Sequence, residues 1–516
     1  MPAQVTTRAQ VNGYRFLLRR LQHALIRADS RMIHDPMRGQ IRALLTGVVA
    51  AILISGAAGV LAFFKPAPNF GNSSIMLSDT DGALYVRLGD RLHPALNLAS
   101  ARLAVGKNET PGRVDLKYLD TVARGPAVGI VGAPSAIHAG DDMNTSAWTV
   151  CDSTVTPPAT ASVGVTSVHT TVLANDPVLG PEIYAAKPDQ ALLVRSGGGT
   201  YLLYDGVRAA IDAGDPVLVA ALRLGGAPPR DVSVGLLNAF PLVAPIRPIR
   251  IDRIGATTSY LPAEFPVGSL TRTTDSRGDH LYVVLAEGLQ PVSAETADII
   301  RYGNPESAAA REPSVISPAR LGRLPVVHLL GVDDYPATAL DVVSADSAPV
   351  VCMSWERRVG DASASTTALI GSGLPLPQDA QPVQVASADG GGPGVDAVYL
   401  KPGTGEYVQA ANPGSGPAVG DLFYVSDLGL RYPVKDEGTA AILGLAGVRE
   451  SRNVPEHAQP APWSVLSLLP PGPRLSQEAA LIAHDGIDAD PAGQPIGSSA
   501  ESAGGTDVSP AGVVSR

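Results

Sequence analysis

The run from Ala43 to Phe64, ALLTGVVAAILISGAAGVLAFF, holds twenty-two residues without one charge. At about 1.5 Å per helical residue it spans a hydrocarbon core of roughly 30 Å. Arg42 closes it on one side and Lys65-Pro66 on the other. A cleaved signal peptide has a shorter apolar core of about 7–15 residues near the N-terminus. This run is longer and begins at position 43, so an uncleaved single span from Ala43 to Phe64 is expected.

Charge sorts the two sides of that span. Residues 1–42 carry eight arginines against Asp29 and Asp35, a net of +6. The rest of the 516-residue chain holds 31 basic and 47 acidic residues, a net of −16. Short basic segments resist translocation, so residues 1–42 are expected inside and 65–516 outside. Within the inner segment, Tyr14, Leu17, Leu18, Leu21, Leu25 and Ile26 recur at helical spacing from Ala9 to Arg31. Arg15, Arg19, Arg20 and Arg27 lie mostly between them. Such a helix lies on anionic headgroups or docks to a cytoplasmic partner, and composition leaves both open. Asp35-Pro36 is expected to break it ahead of the span.

Beyond the span, 54 glycines and 45 prolines in the whole chain favour short strands and turns over long helices. Four stretches share one grammar: an apolar strand, a glycine turn, a second short strand and a small-residue helical run. They are 83–106, 200–225, 280–301 and 421–445. Gly89, Gly206, Gly288 and Gly429 are expected at the turns with positive φ. Tyr85, Tyr201, Tyr282 and Phe423 fall at matching strand positions. A unit of about twenty-five residues buries little core alone, so each is expected to recruit flanking strands or pack on a neighbour.

Two cysteines remain, Cys151 in AWTVCDS and Cys352 in VVCMSWE, with Trp148 three before the first and Trp355 three after the second. An external compartment favours a bridge between them, two buried free thiols being the alternative. Across a loop of about 200 residues a bridge contributes on the order of 4–5 kcal/mol in the loop-entropy treatment. It would join segments near 131–190 and 343–392 into a central module, with repeats 2 and 3 as a lobe between. Near the C-terminus, a helix is expected to open at Ser476 and run through Ala483, and residues 486–516 to be a disordered tail.

Motifs that carry chemistry are sparse. None of the six lysines precedes Ser or Thr, so no GxxxxGK[ST] phosphate loop exists. The partial match ARLAVGKN (Ala101–Asn108) falls inside a repeat. Ser196–Thr200, SGGGT, reads as a loop entering a strand more readily than as a phosphate cradle. Asp79/Asp81, Asp141/Asp142 and Asp333/Asp334 read as turn caps rather than calcium ligands. No HExxH or GxSxG occurs, the nine histidines show no ligand spacing, and no basic patch for nucleic acid stands out. No catalytic residue, metal or cofactor is assigned.

Several segments nonetheless agree in order with one family. They are VNGYRFLLRRLQHAL (Val11–Leu25), the span, ALYVRLGDRLHPALNLASARL (Ala83–Leu103), GAP (Gly132–Pro134), WTVCD (Trp148–Asp152), LLNAFP (Leu236–Pro241), CMSWE (Cys352–Glu356) and PGPRLSQEAALIAHD (Pro471–Asp485). Together they resemble EccB, a membrane component of mycobacterial type VII (ESX) secretion systems. The likeness covers nearly the whole chain except its tail.

The resemblance implies an α+β single-pass inner-membrane protein with its N-terminus cytoplasmic and its C-terminal region periplasmic. It implies a central α/β module with four small β-rich repeat domains, tied by one disulfide. The corresponding layout is a cytoplasmic helix at 1–42, the span at 43–64 and repeat 1 at 65–130. The central module follows at 131–190, repeat 2 at 191–260, repeat 3 at 261–342 and the second central part at 343–392. Repeat 4 takes 393–450, a C-terminal central-module segment 451–485 and the tail 486–516. Implied partners are EccC, whose P-loop motor is cytoplasmic, EccD, EccE, further copies of the chain and the mycosin protease, with peptidoglycan contact through the repeats. Docking would use Tyr14, Arg15, Leu18, Arg19 and Arg20. Some EccB proteins are described as ATPases, which implies as the alternative to a structural subunit a periplasmic ATPase, ATP-binding without a recognisable P-loop.

Overall fold

A computed structural model describes residues 7–28, 30–31, 36–64, 73–115, 119, 122–138, 144–155, 167–225, 227–276, 278–307, 309, 311–358, 360–390, 394–412, 418–445 and 458–487. The chain divides into two compact units, 1–72 and 73–516.

The first unit is two helices. Thr7 caps the helix Arg8–Arg27 through a reciprocal pair with Gln10, and Ala28 ends it in the left-handed region, φ 53°. The helix therefore stops four residues before the expected Arg31. The second helix runs Pro36–Phe64, with proline at its first position, where the missing N–H costs nothing. It starts seven residues before Ala43 and includes Arg42. The stretch Gly39–Val60 is long and apolar enough to cross a membrane.

The second unit is built on sheets. Each sequence repeat supplies three antiparallel strands, then a short helix, then a fourth strand parallel to the first. The strand order, third-second-first-fourth, is the same in all four. First strands are Ile75–Ser78, Gln190–Ser196, Leu270–Asp275 and Gly405–Ala411; their parallel partners are Gly112–Val114, Arg230–Asp231, Ser314–Val315 and Gln459–Pro462. The sheet of repeat 4 thus closes beyond residue 450. The helices Leu98–Val105, Pro216–Ala221, Ala294–Gly303 and Glu437–Leu443 start at Asn97, Asp215, Ser293 and Asp436, whose side chains accept from backbone N–H groups. On the second strands Tyr85, Tyr282 and Phe423 lie opposite Pro94, Pro291 and Pro433, and Tyr201 lies opposite Ala210.

Three of the four turn glycines behave as expected: Gly89, Gly206 and Gly429 have φ between 65° and 80°. Gly288 does not. A Cβ there would stand 2.7 Å from the Pro325 carbonyl oxygen. The strand beginning at Leu289 receives the segment 325–327 at its edge, through Leu289 N–H to Pro325 O and Val327 N–H to Leu289 O, both 2.8 Å. The position needs a close approach of backbone, not a left-handed turn.

The repeats pair through common cores. Repeats 2 and 3 bury Leu193, Leu202, Leu218 and Ile249 with Val283, Ile299 and Ile300. Repeats 1 and 4 bury Ala99 and Leu103 with Tyr424, Tyr432, Ala440 and Leu443. The intervening sheet has seven strands, including Thr145–Val155, Ser167–Leu173 and Val350–Arg358. Its strand Ala397–Tyr399 lies beyond the expected boundary at 392 because it pairs in parallel with Thr171–Leu173. One face carries Trp148, Val351, Met353 and Trp355 and is covered by repeats 2 and 4, with their following helices Val234–Ala239 and Trp463–Leu466. Ser476 does cap a helix, but it is only Gln477–Ala480; Ala483 and His484 form a strand against Ala127–Val128. The expected tail lies, from residue 488, outside the described residues.

Candidate functional site

The N-terminal helix is the first candidate. At roughly 100° per residue, Val11, Tyr14, Leu18, Leu21 and Leu25 fall within one strip. All are exposed. Arg8, Arg15 and Arg19 run along one flank of the strip, while Arg20 lies about 100° past its other edge, toward the back of the helix, where its Nε donates to the Ser30 carbonyl at 3.2 Å. Tyr14 and Leu18 thus share a face, which Arg15 and Arg19 border on one side. Gly13 sits off the strip with open space where a Cβ would be.

The second candidate is the centre of the seven-stranded sheet. Cys151 and Cys352 lie directly opposite each other on antiparallel strands, as do Trp148 and Trp355. The bridge between the cysteines is formed, with Cα atoms 4.0 Å apart. Because tryptophan and cysteine are three residues apart on each strand, they occupy opposite faces. The disulfide faces Leu173, Leu369 and Tyr399. The tryptophans face the covered side, where Trp148 Nε1 donates to Ser146 Oγ at 3.1 Å and Ser146 Oγ donates to the Pro460 carbonyl in repeat 4 at 2.7 Å. The two cysteines thus staple two neighbouring strands of the central sheet, on the face away from repeats 2 and 4.

Beside the tryptophans is a polar group that no sequence motif signals. Asp152 is 3 % exposed and Asp396 1 %. Asp152 accepts from Thr170 Oγ1 and Ser233 Oγ, both at 2.9 Å, and from the Ser233 N–H at 2.6 Å. Asp396 accepts from the N–H groups of Thr170, Asp389 and Gly390 at 2.7–3.1 Å. Burial pushes Asp152 up to about 6 against the lowering effect of its donors, with Asp396 raising it further. Since Ser233 also caps Val234–Ala239 through the Leu236 N–H, Asp152 fixes the helix that covers the tryptophan face. Its role is positional.

The remaining candidates resolve as structure. Gly106 of ARLAVGKN is a helix C-cap with φ 73°. Gly197 and Gly198 form the two-residue turn of a hairpin in which Ser196 faces Gly199. Asp81 accepts from the Ala83 N–H, as a turn aspartate does. Asp141 and Asp142 lie outside the described residues. Among the described residues, no group of three or more His, Cys, Asp or Glu could hold a metal ion.

Comparison with known proteins bears on the whole chain. A family model described as "Type VII secretion system ESX-1, transport TM domain B" matches residues 3–489. The protein named "ESX-3 secretion system ATPase EccB3" of Mycobacterium tuberculosis H37Rv is 38 % identical over 497 residues, covering 93 % of this chain and 90 % of that one. "ESX-1 secretion system ATPase EccB1" of Mycolicibacterium smegmatis MKD8 is 36 % identical over 493 residues, 95 % and 97 % of the two chains. A chain in a structure of an intact ESX-5 inner membrane complex aligns with TM-score 0.69 and 30 % identity over 100 % of this chain and 99 % of that one. A chain of an EccB3 dimer from the ESX-3 core complex aligns with TM-score 0.67 and 35 % identity over 80 % of this chain and all of that one.

Proposed function

Because the chain belongs to the EccB family of type VII secretion membrane components, we propose that it is a structural subunit of an ESX inner-membrane complex. In this reading the Pro36–Phe64 helix is the anchor, the sheet-rich unit stabilises the channel from the periplasmic side, and the basic helix docks to cytoplasmic partners. EccC-, EccD- and EccE-like proteins are the partners in view, with further copies of the chain and a mycosin protease on the periplasmic side and peptidoglycan contact through the repeats. The observation that carries the proposal is the exposed apolar strip of Arg8–Arg27, bordered by arginines, in the same chain as a membrane-length helix. One apolar helix cannot enclose a pore, so transport has to come from assembly.

Charge reversal at Arg15, Arg19 and Arg20 tests the docking role. The expected outcome is normal membrane insertion but a smaller, partner-depleted complex on mild detergent extraction, read by mass and composition. An unchanged complex would count against the helix as a docking element. The names of the curated relatives favour a second reading, a periplasmic nucleotide hydrolase. It requires Mg²⁺-dependent ATP turnover by the purified chain that a single folded point variant abolishes.

A further inference from the structure

The linker after repeat 2 reads IRPIRIDR from Ile246 to Arg253. Ile246 and Ile249 are buried, while Arg247 and Arg250 are exposed. A three-residue period in an extended, proline-containing chain puts each set on its own side. The linker is held in place. Ile246 N–H donates to the Ala210 carbonyl at 2.9 Å, and the Tyr335 hydroxyl accepts from the Arg247 N–H at 3.0 Å while facing the Pro245 and Arg247 carbonyls. Arg253 is paired with Glu287 at 2.7 Å. Arg247 and Arg250 make no ion pair among the described residues.

These two arginines line an open groove of about 870 Å³ on repeat 2, within the roughly 300–1,000 Å³ typical of ligand sites. Asp212 and Asp215 line the same groove. One oxygen of each caps local backbone, to Gly214 N–H and to Val217 and Leu218 N–H. Tyr201 lines the floor, with the Arg208 guanidinium 5.9 Å from its ring centre. Two guanidinium groups on an ordered strap, without an ion pair among the described residues, are suited to carboxylates. The aspartates in the same lining disfavour a purely anionic ligand and favour ammonium groups.

We infer that this groove is a recognition site for a short zwitterionic peptide, its carboxylates on Arg247 and Arg250 and its amino groups on Asp212 and Asp215. The site stands apart from the assembly role and does not depend on it. The test titrates the full chain in detergent with a dye-labelled hexapeptide of alternating Glu and Lys. Saturable, salt-sensitive binding is expected, weakened about tenfold by Arg247→Gln with Arg250→Gln, the scale of two surface ion pairs lost together. Arg323→Gln, an exposed arginine outside the groove, should leave it unchanged. Absence of saturable binding, equal binding by the double variant, or equally tight binding of hexaglutamate overturns the inference. Reversal by Arg247→Glu with Arg250→Glu should create affinity for hexalysine, a gain that misfolding cannot produce; its failure to appear also counts against the site.

Discussion

Asp152 ties the central sheet to the helix that covers it, and its carboxyl is held neutral more readily than in water. The sign follows from the direction of the shift. A carboxyl raised from about 4 to about 6 contributes stability that is complete below the unfolded value and is lost as pH rises through the folded one. The difference is on the order of 2–3 kcal/mol. Denaturant titrations at pH 4 and pH 7 should show this loss, and Asp152→Asn should flatten it while lowering stability at both, because an amide nitrogen would confront the Ser233 N–H. Cys151→Ser acts differently. It frees a loop with cysteines 201 positions apart, so non-reducing denaturation should show a loss on the order of 4–5 kcal/mol. Thiol labelling should then find one buried thiol at Cys352 only after unfolding.

At the scale of elements, the helix of repeat 1 is tied to the helix of repeat 4 and to the C-terminal helix Gln477–Ala480. Arg102 Nη1 donates to the Leu443 carbonyl at 2.6 Å and Gln477 Nε2 to the Leu103 carbonyl at 3.3 Å. Gly444 ends the repeat 4 helix at φ 86°, and a Cβ there would stand 2.7 Å from the Asn108 side chain. Gly444→Ala combines a left-handed penalty with that overlap and should cost about 1–3 kcal/mol, read as a lower melting temperature and as faster amide exchange in Leu98–Val105. The two-stranded hairpins and following helices at 83–106, 200–225, 280–301 and 421–445 were legible because apolar runs and glycine turns are local signals, whereas the first strands were expected only as unspecified flanking strands. The fourth strands were not legible. Arg230–Asp231 and Ser314–Val315 are two residues long and carry no period, and Ala397–Tyr399 takes its place only from a partner more than 200 residues earlier. Trp148 and Trp355 were visible as mirror-image spacings around the cysteines; their pairing needed the register. The Asp152–Asp396 group and the arginine row of Ile246–Arg253 were not read from the sequence, because each takes its meaning from tertiary neighbours.

For the whole molecule, the order of shared cores is repeat 3, repeat 2, central sheet, repeat 4, repeat 1. The span and the basic helix were readable from composition alone, since hydrophobic length and charge asymmetry need no tertiary information. The pairing of repeat 1 with repeat 4 was not, because hundreds of residues separate them in sequence. The last described strand of the sheet-rich unit reinforces that pairing: Ala483–His484 bonds to Ala127–Val128, at the end of repeat 1. A load applied along the chain of this unit would therefore meet these backbone hydrogen bonds as well as the sheet of repeat 1 itself. The cross-link adds a limit of another kind. With Cys151 joined to Cys352, about 200 residues cannot be paid out under tension, a contour length of roughly 700 Å at full extension.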